Sequence, residues 1–435
     1  MSIKVCDALC GSGKTSAAIR MMNEQTDRKF IFVTQYLSEV ERIKTSCAAR
    51  GFVSPEASPK TGLTKLSDIH DLMRNGRNIA TTHALFMTYT DETRTLIREQ
   101  GYVLILDEVI DVISVSELSR SDLNILLDSG CVKEDGEYLR WVYDDYSLDE
   151  RNKFKEEMLR AKSNNMIKYD DRYYCWIIPP DLFTSFTDVY VLTYMFHAQS
   201  MRCFFEISNI DYELIGTARD ESGFVFCPLE AMNRVRDLRD KIHVLENGKV
   251  NEIGAHRNAL SFSWYQNSRR TTEDSRLNSI RKNIINVFRN IWRARGAETL
   301  WTTYKEYQSN LEDRGYINSF VVYNKRATNE YSDRKYLAYC INNFPRPWEA
   351  KFFRDHGSEM HPDGYALSIL IQWIFRSAIR NDEDIWVYIP SARMRGLLTQ
   401  WLDKLATGND LDEIKYATPR QKASKKKRKN AKQSV

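Results

Sequence analysis

The stretch Ile3-Lys4-Val5-Cys6-Asp7-Ala8-Leu9-Cys10-Gly11-Ser12-Gly13-Lys14-Thr15 decides the fold. Ile3 to Cys6 reads as a short apolar, β-branched strand, Ala8 to Thr15 as a glycine-rich turn ending in Lys-Thr, and Ser16 to Arg20 as the start of a helix. A strand that enters such a loop and leaves through a helix turns successive backbone N–H groups and a helix N-terminus toward phosphate oxygens. Ala8, Gly11, Ser12, Gly13, Lys14 and Thr15 therefore form the predicted phosphate cradle. In it Lys14 supplies a mobile positive charge and the Thr15 hydroxyl a magnesium ligand.

Such a loop needs a catalytic partner, and Val103-Leu104-Ile105-Leu106-Asp107-Glu108 is the candidate. Four consecutive apolar residues suit a parallel strand buried on both faces. At its carboxyl end, Asp107 is placed to hold the magnesium ion through water and Glu108 to polarise the water that attacks the γ-phosphate. Binding and hydrolysis of a nucleoside triphosphate follow, with ATP and Mg2+ as the expected cofactors.

Two more strands are expected between these motifs. Phe30 to Tyr36 is an apolar run ending in polar residues, with a helical stretch from Leu37 to Cys47, and Asn78 to Phe86 repeats the arrangement. Ligands of open parallel sheets bind beyond the carboxyl ends of the strands. Thr34, Gln35, Thr81, Thr82 and His83 are thus expected along one rim, where helix capping is the competing use for each. A run from Val189 to Phe196, with Thr193 at its end, completes the expected first sheet. The interval between it and Asp111 exceeds what one crossover needs. Residues 113–182 are read as an insertion, with helical composition from Asp149 to Ala161 and a hairpin from Tyr169 to Ile178.

The second half reads as another α/β unit without its own phosphate loop. A helix-rich stretch from Arg276 to Arg295 precedes two strand-like segments, Leu300 to Tyr304 and Phe320 to Tyr323, and Ile385 to Ile389 is a further strand. If Gln372 to Arg380 is helical, Gln372, Arg376 and Arg380 fall at i, i+4 and i+8 on one face. Such a face can reach across a cleft to a nucleotide, where an arginine finger accounts for about three to five orders of magnitude in rate.

Composition excludes several classes. Eight scattered cysteines without a C-x-x-C pair read as reduced thiols. No apolar run approaches the roughly 20 residues of a membrane span, and nothing resembles a signal peptide. The expectation is a soluble cytoplasmic protein, in the host cytoplasm if the gene is viral. Net charge is +4, yet from Lys415 onward the chain carries nine Lys or Arg and no acid. This tail lacks the apolar residues for a core, so disorder and sequence-independent attraction to phosphate backbone are expected.

Taken together, the loop at 8–15, the strand ends at 34 and 81–83, Asp107-Glu108, Thr193, and Gln372 with Arg376 and Arg380 resemble a superfamily 2 helicase. Within it the chain is most similar to the DEAD/DEAH-type helicases of bacteriophages, with Lys325 to Arg334 and the stretch from Tyr365-Ala366-Leu367-Ser368 through Met394-Arg395 closest to that group. Ala8 in place of the loop's usual first glycine is the form common there. The resemblance implies two tandem RecA-like domains, parallel sheets flanked by helices. These would be residues 1–205, including the insertion, and 206–415, followed by the basic tail at 416–435. It implies catalysis by Lys14, Asp107, Glu108, Gln372, Arg376 and Arg380, and metal binding by Thr15 and Asp107. Nucleic acid would lie across Thr34, Gln35, Thr81, Thr82 and His83 of the first domain and Thr302, Thr303, Lys325, Arg326 and Thr328 of the second.

The chain departs from the family pattern in four places. Val109-Ile110 replaces the usual Ala-Asp or Ala-His, Phe375 and Ala378 replace two glycines, the last arginine falls one residue late at Arg380, and no adenine-recognising segment precedes Ala8. The function implied is an ATP-dependent helicase or translocase on single-stranded DNA, with RNA as the other track. It would serve phage replication, recombination or repair alongside proteins of those processes, and no membrane is implied. A phage DNA-packaging ATPase and a nucleic-acid-binding ATPase switch without translocation are the alternative classes.

Overall fold

Consecutive apolar runs become buried parallel strands, as sheets covered on both faces require. The structure, a computed structural model, describes residues 2–58, 64–116, 118–143, 154–163, 165–170, 173–232, 237–269, 275–324 and 330–408. The expected contacts Lys325, Arg326 and Thr328 and the basic tail lie outside the described residues.

Among these residues the first sheet is built from β1 (Ser2–Asp7), β2 (Phe30–Thr34), β3 (Ile79–Thr82) and β4 (Val103–Asp107). It is completed by β10 (Asp188–Thr193) and a hairpin of β11 (Glu213–Asp220) and β12 (Gly223–Pro228). The order is β12-β11-β1-β10-β4-β2-β3, parallel except for β12. Every residue of β2 and β4 is buried, one face packing against Met22, Val40 and Ile43 and the other against Ile97, Phe183 and Phe204. The first sheet thus runs through Pro228, past the division expected at 205/206, because β11 pairs with β1.

Between β4 and β10 the insertion forms its own antiparallel sheet. Its strands are β5 (Ile113–Val115), β6 (Val132–Asp135), β7 (Tyr138–Trp141), β8 (Met166–Tyr169) and β9 (Tyr173–Ile177), in the order β5-β9-β8-β7-β6. The expected hairpin is β8–β9, and the helix Lys155–Lys162 covers part of the helical stretch expected at 149–161. Trp141, Tyr174 and Trp176 fill this subdomain's core.

The second unit is a parallel sheet of β13 (Ile242–Val244), β14 (Thr299–Thr302), β15 (Tyr336–Tyr339) and β16 (Ile385–Tyr388), ordered β13-β16-β15-β14. Two expectations need correction here. Phe320 to Tyr323 is not a strand: Phe320 makes one isolated bridge to Trp301, and Tyr336–Tyr339 takes the place beside β14. The Val321 carbonyl accepts from Trp373 Nε1 and the Val322 carbonyl from Arg376, so both are spent on side chains rather than on a ladder. Nor do Gln372, Arg376 and Arg380 share one helix face. The helix Pro362–Ile374 stops where Ser377 adopts an extended conformation and its hydroxyl donates to the Ile374 carbonyl at 2.6 Å. A short 3-10 turn, Ala378–Asn381, then carries Arg380.

The helix Pro347–Asp355, which follows β15, leaves the second unit and packs into the first. Phe352, Phe353 and Met360 join the core beneath β1, β4 and β10. The same helix clasps the insertion, with Asp355 accepting from the Tyr169 hydroxyl at 2.7 Å, Lys351 paired with Asp170 at 2.7 Å and His356 Nε2 on Glu137 at 2.9 Å. A further tie joins the units where Trp401 Nε1, on the helix Ala392–Thr407, donates to the Tyr194 hydroxyl at 2.8 Å. Among the described residues no helix is long and apolar enough to cross a membrane.

Candidate nucleotide-binding site

Gly11 and Gly13 both have left-handed backbones, φ 83° and 81°, which a residue with a Cβ adopts only under strain. These two turns close the loop onto the helix Lys14–Glu24. The Ala8 N–H donates to the Thr193 carbonyl at 3.1 Å, so the loop's first residue is pinned to the end of β10. Ala8 is fully buried, where a methyl group is an asset. Lys14 folds back on the loop, its ammonium donating to the Ala8 and Leu9 carbonyls at 2.7 and 3.0 Å. It is 8% exposed, and these carbonyls keep it solvated within the loop.

Across the sheet, Thr15 Oγ1 donates to Asp107 Oδ1 at 3.1 Å and Thr34 Oγ1 to Asp107 Oδ2 at 3.5 Å. His83 Nε2 meets the Asp107 backbone carbonyl at 3.0 Å. Burial, and then the neighbouring Glu108, push the Asp107 carboxyl up to about 7 despite the Thr15 hydrogen bond. Glu108 itself has φ 71°, an uncommon left-handed conformation for a non-glycine residue. It is fixed by its N–H donating to the Leu192 carbonyl at 2.9 Å. Its buried Oε2 has no hydrogen-bond partner among the described residues, which leaves an acceptor free for a water.

The two units meet over this site. A cavity of about 310 Å³ is lined by Gly11, Gly13, Lys14, Thr15, Asp107 and Glu108 from the first unit and by Gln372, Phe375, Arg376 and Arg380 from the second. Arg376 is 3% exposed, and burial lowers its guanidinium to about 10. Arg380 is exposed on its 3-10 turn. Arg376 and Arg380 thus stand across one opening from Lys14, Asp107 and Glu108.

A magnesium ion fits the donor set. The Thr15 and Asp107 oxygens stand 3.1 Å apart, close to the roughly 3 Å between neighbouring ligands of an octahedral ion with bonds of about 2.1 Å. Among the described residues no group of three His, Cys, Asp or Glu side chains could hold a metal. A hydroxyl and one carboxylate, completed by phosphate and water, is the way magnesium is commonly held.

The rim residues divide. Gln35 is exposed, Thr82 and His83 are half-buried, and Thr34, Thr81, Thr302 and Thr303 are buried. Thr34 and His83 are drawn inward to Asp107.

Sequence reasoning passed over Asp7. Fully buried, it accepts from the Met195 and Phe196 N–H groups at 2.7 and 2.9 Å and fixes the turn after β10. An acid directly ahead of the phosphate loop was its only signal. It also passed over Phe224 on β12, which lines the same cavity.

The fold and site define a two-unit α/β protein with a glycine-rich loop at the end of its first strand. Residues 236–402 match the family described as the YonV C-terminal Rossmann-like domain. The chain is 39% identical over 413 residues to the SPbeta prophage-derived uncharacterized protein YonV of Bacillus subtilis (strain 168), a match covering 92% of this chain and 98% of that protein. It belongs to the YonV family. A solved structure of Xpd4 from S. tokodaii is 12% identical, with 95% of each chain covered and a TM-score of 0.44.

Proposed function

We propose that this protein is an ATP-driven helicase or translocase acting on single-stranded DNA in phage replication, recombination or repair. The observation that carries the reading is the cavity in which Lys14, Thr15, Asp107 and Glu108 of one unit face Gln372, Arg376 and Arg380 of the other. A nucleotide seated there touches both units, so binding it and losing its γ-phosphate change the free energy of cleft closure.

In this mechanism Lys14 leaves the Ala8 and Leu9 carbonyls for the β- and γ-phosphates. Thr15 and Asp107 hold magnesium, which neutralises phosphate charge when bound. Glu108 orients the attacking water through its unpartnered oxygen, and Arg380 and Arg376 stabilise the charge that builds on the γ-phosphate. Thr34, Gln35, Thr81, Thr82 and His83 of the first unit and Thr302 and Thr303 of the second are the proposed strand contacts, together with Lys325, Arg326 and Thr328, which lie outside the described residues. The buried members among them require the rim to open. The prophage derivation of the relative supports the phage setting.

Steady-state ATP hydrolysis with and without single-stranded DNA or RNA, for the wild type and the Glu108→Gln and Arg380→Ala variants, tests this. Strong stimulation by a nucleic acid, lost in both variants, is expected and names the track. A rate indifferent to either nucleic acid rejects the motor in favour of a packaging or switch ATPase.

A further inference from the structure

The β11–β12 hairpin is hung on the phosphate loop. Thr217 Oγ1, on β11, donates to the Ser12 carbonyl at 2.9 Å, and Asp220 at its tip pairs with Arg20 of the first helix at 2.7 Å. This brings Phe224 against Gly13. A Cβ built on Gly13 would sit 2.2 Å from the Phe224 ring, so ring and loop backbone are in direct contact and only glycine permits it. Of the two aromatic rings lining the cavity, Phe375 is 6% exposed and belongs to the second unit's core. Phe224 is half-buried, with the Arg219 guanidinium 5.7 Å from the ring centre.

A nucleotide held by the loop must direct its base away from the phosphates, and the hairpin's Phe224 is the half-buried ring that borders the loop. We infer that Phe224 is the base-stacking wall of the nucleotide site, with Arg219 as its cationic flank, so that the hairpin supplies the nucleobase recognition. The inference rests on the proposed nucleotide site and names the part of the ligand, an aromatic nucleobase, that the hairpin takes. Stacking uses the π-face that every base presents and is worth roughly ten- to hundredfold in affinity when the ring is removed.

The test measures binding of ATP and of inorganic tripolyphosphate, which has the phosphates without the base, to full-length wild type, Phe224→Ala and Phe224→Trp. The expected result is a roughly ten- to hundredfold weaker ATP affinity for Phe224→Ala, restoration by Phe224→Trp, and an unchanged tripolyphosphate affinity in all three. A parallel loss for both ligands makes Phe224 a support for the loop and overturns the inference, as does an unchanged or tighter ATP affinity. If wild type binds neither ligand, the nucleotide site itself fails, a result distinct from either.

Discussion

Thr15 Oγ1 and Asp107 Oδ1 lie 3.1 Å apart although 92 positions separate them in the chain. The hydroxyl's hydrogen bond favours the ionised carboxylate, against burial and Glu108, which together raise the Asp107 pKa to about 7.

Removing that hydroxyl should therefore weaken magnesium use on two counts, through a lost ligand and a carboxyl that holds its proton more tightly. Thr15→Ala is expected to raise the Mg2+ concentration for half-maximal ATP hydrolysis at least about tenfold, and more at pH 6.5 than at pH 8. Thr15→Ser, which keeps the oxygen, should stay near wild type. Titrating Mg2+ at both pH values checks this, and equal Mg2+ requirements in the two variants would contradict it.

The two arginines of the cavity should separate. Arg380 is exposed, so Arg380→Ala is expected to cut the hydrolysis rate by about three orders of magnitude or more while leaving the melting temperature unchanged. Arg376 is 3% exposed and donates to the Val322 carbonyl at 3.3 Å. Arg376→Ala leaves that carbonyl unpaired and should cost about 1–3 kcal/mol of stability besides activity. Rate and denaturation measured on both variants decide the division, and a destabilised Arg380→Ala would refute it.

Asp7 gives the fold a pH dependence of definite sign. Burial raises its carboxyl from 3.8 to about 6, even with two N–H donors on it. Because the folded state holds this proton more tightly than the unfolded chain, the contribution is full below pH 3.8 and is lost as pH rises through about 6. The difference is worth about 3 kcal/mol over the whole range. Asp7→Asn, which cannot ionise, should show a flatter stability profile between pH 5 and 7.5 by urea denaturation. Parallel profiles would show that Asp7 stays ionised throughout.

The clasp on the insertion should weaken as pH rises. Burial lowers the His356 pKa, but the Glu137 carboxylate and the Phe352 carbonyl outweigh it, leaving the imidazole above its usual value. The stabilisation is thus present below pH 6.5 and fades as pH passes the raised value. Amide exchange in β6 to β8 is expected to quicken from pH 6 to pH 8, after correction for intrinsic rates, and Glu137→Gln should abolish that extra acceleration. An exchange pattern identical in the variant would dismiss the clasp.

What was legible in the sequence was what depends on short segments. Ile3 to Thr15 and Val103 to Glu108 carry their strands, turn and acids within a few residues, and the structure places them where those residues point. Gln372, Arg376 and Arg380 were read to one cavity but on the wrong scaffold, because the Ser377 hydroxyl that ends the helix competes locally with a pattern that otherwise suits it. Phe320 to Tyr323 has strand composition, but which run sits beside Thr299–Thr302 is settled by Trp373 and Arg376, about 50 positions away, on its carbonyls. Asp7, Tyr194 with Trp401, and Phe224 on Gly13 are long-range pairings that no window of sequence contains.

The helix Pro347–Asp355 carries one more consequence, for synthesis. Phe352, Phe353 and Met360 belong to the core under the first sheet, yet they are made after the strands β13 to β15 of the second. Domains usually fold in the order in which they leave the ribosome. Here the amino-terminal half emerges with part of its apolar interior open to solvent and waits for residues near 360 to close it. A message truncated before that point therefore yields a protein with an unfinished first unit.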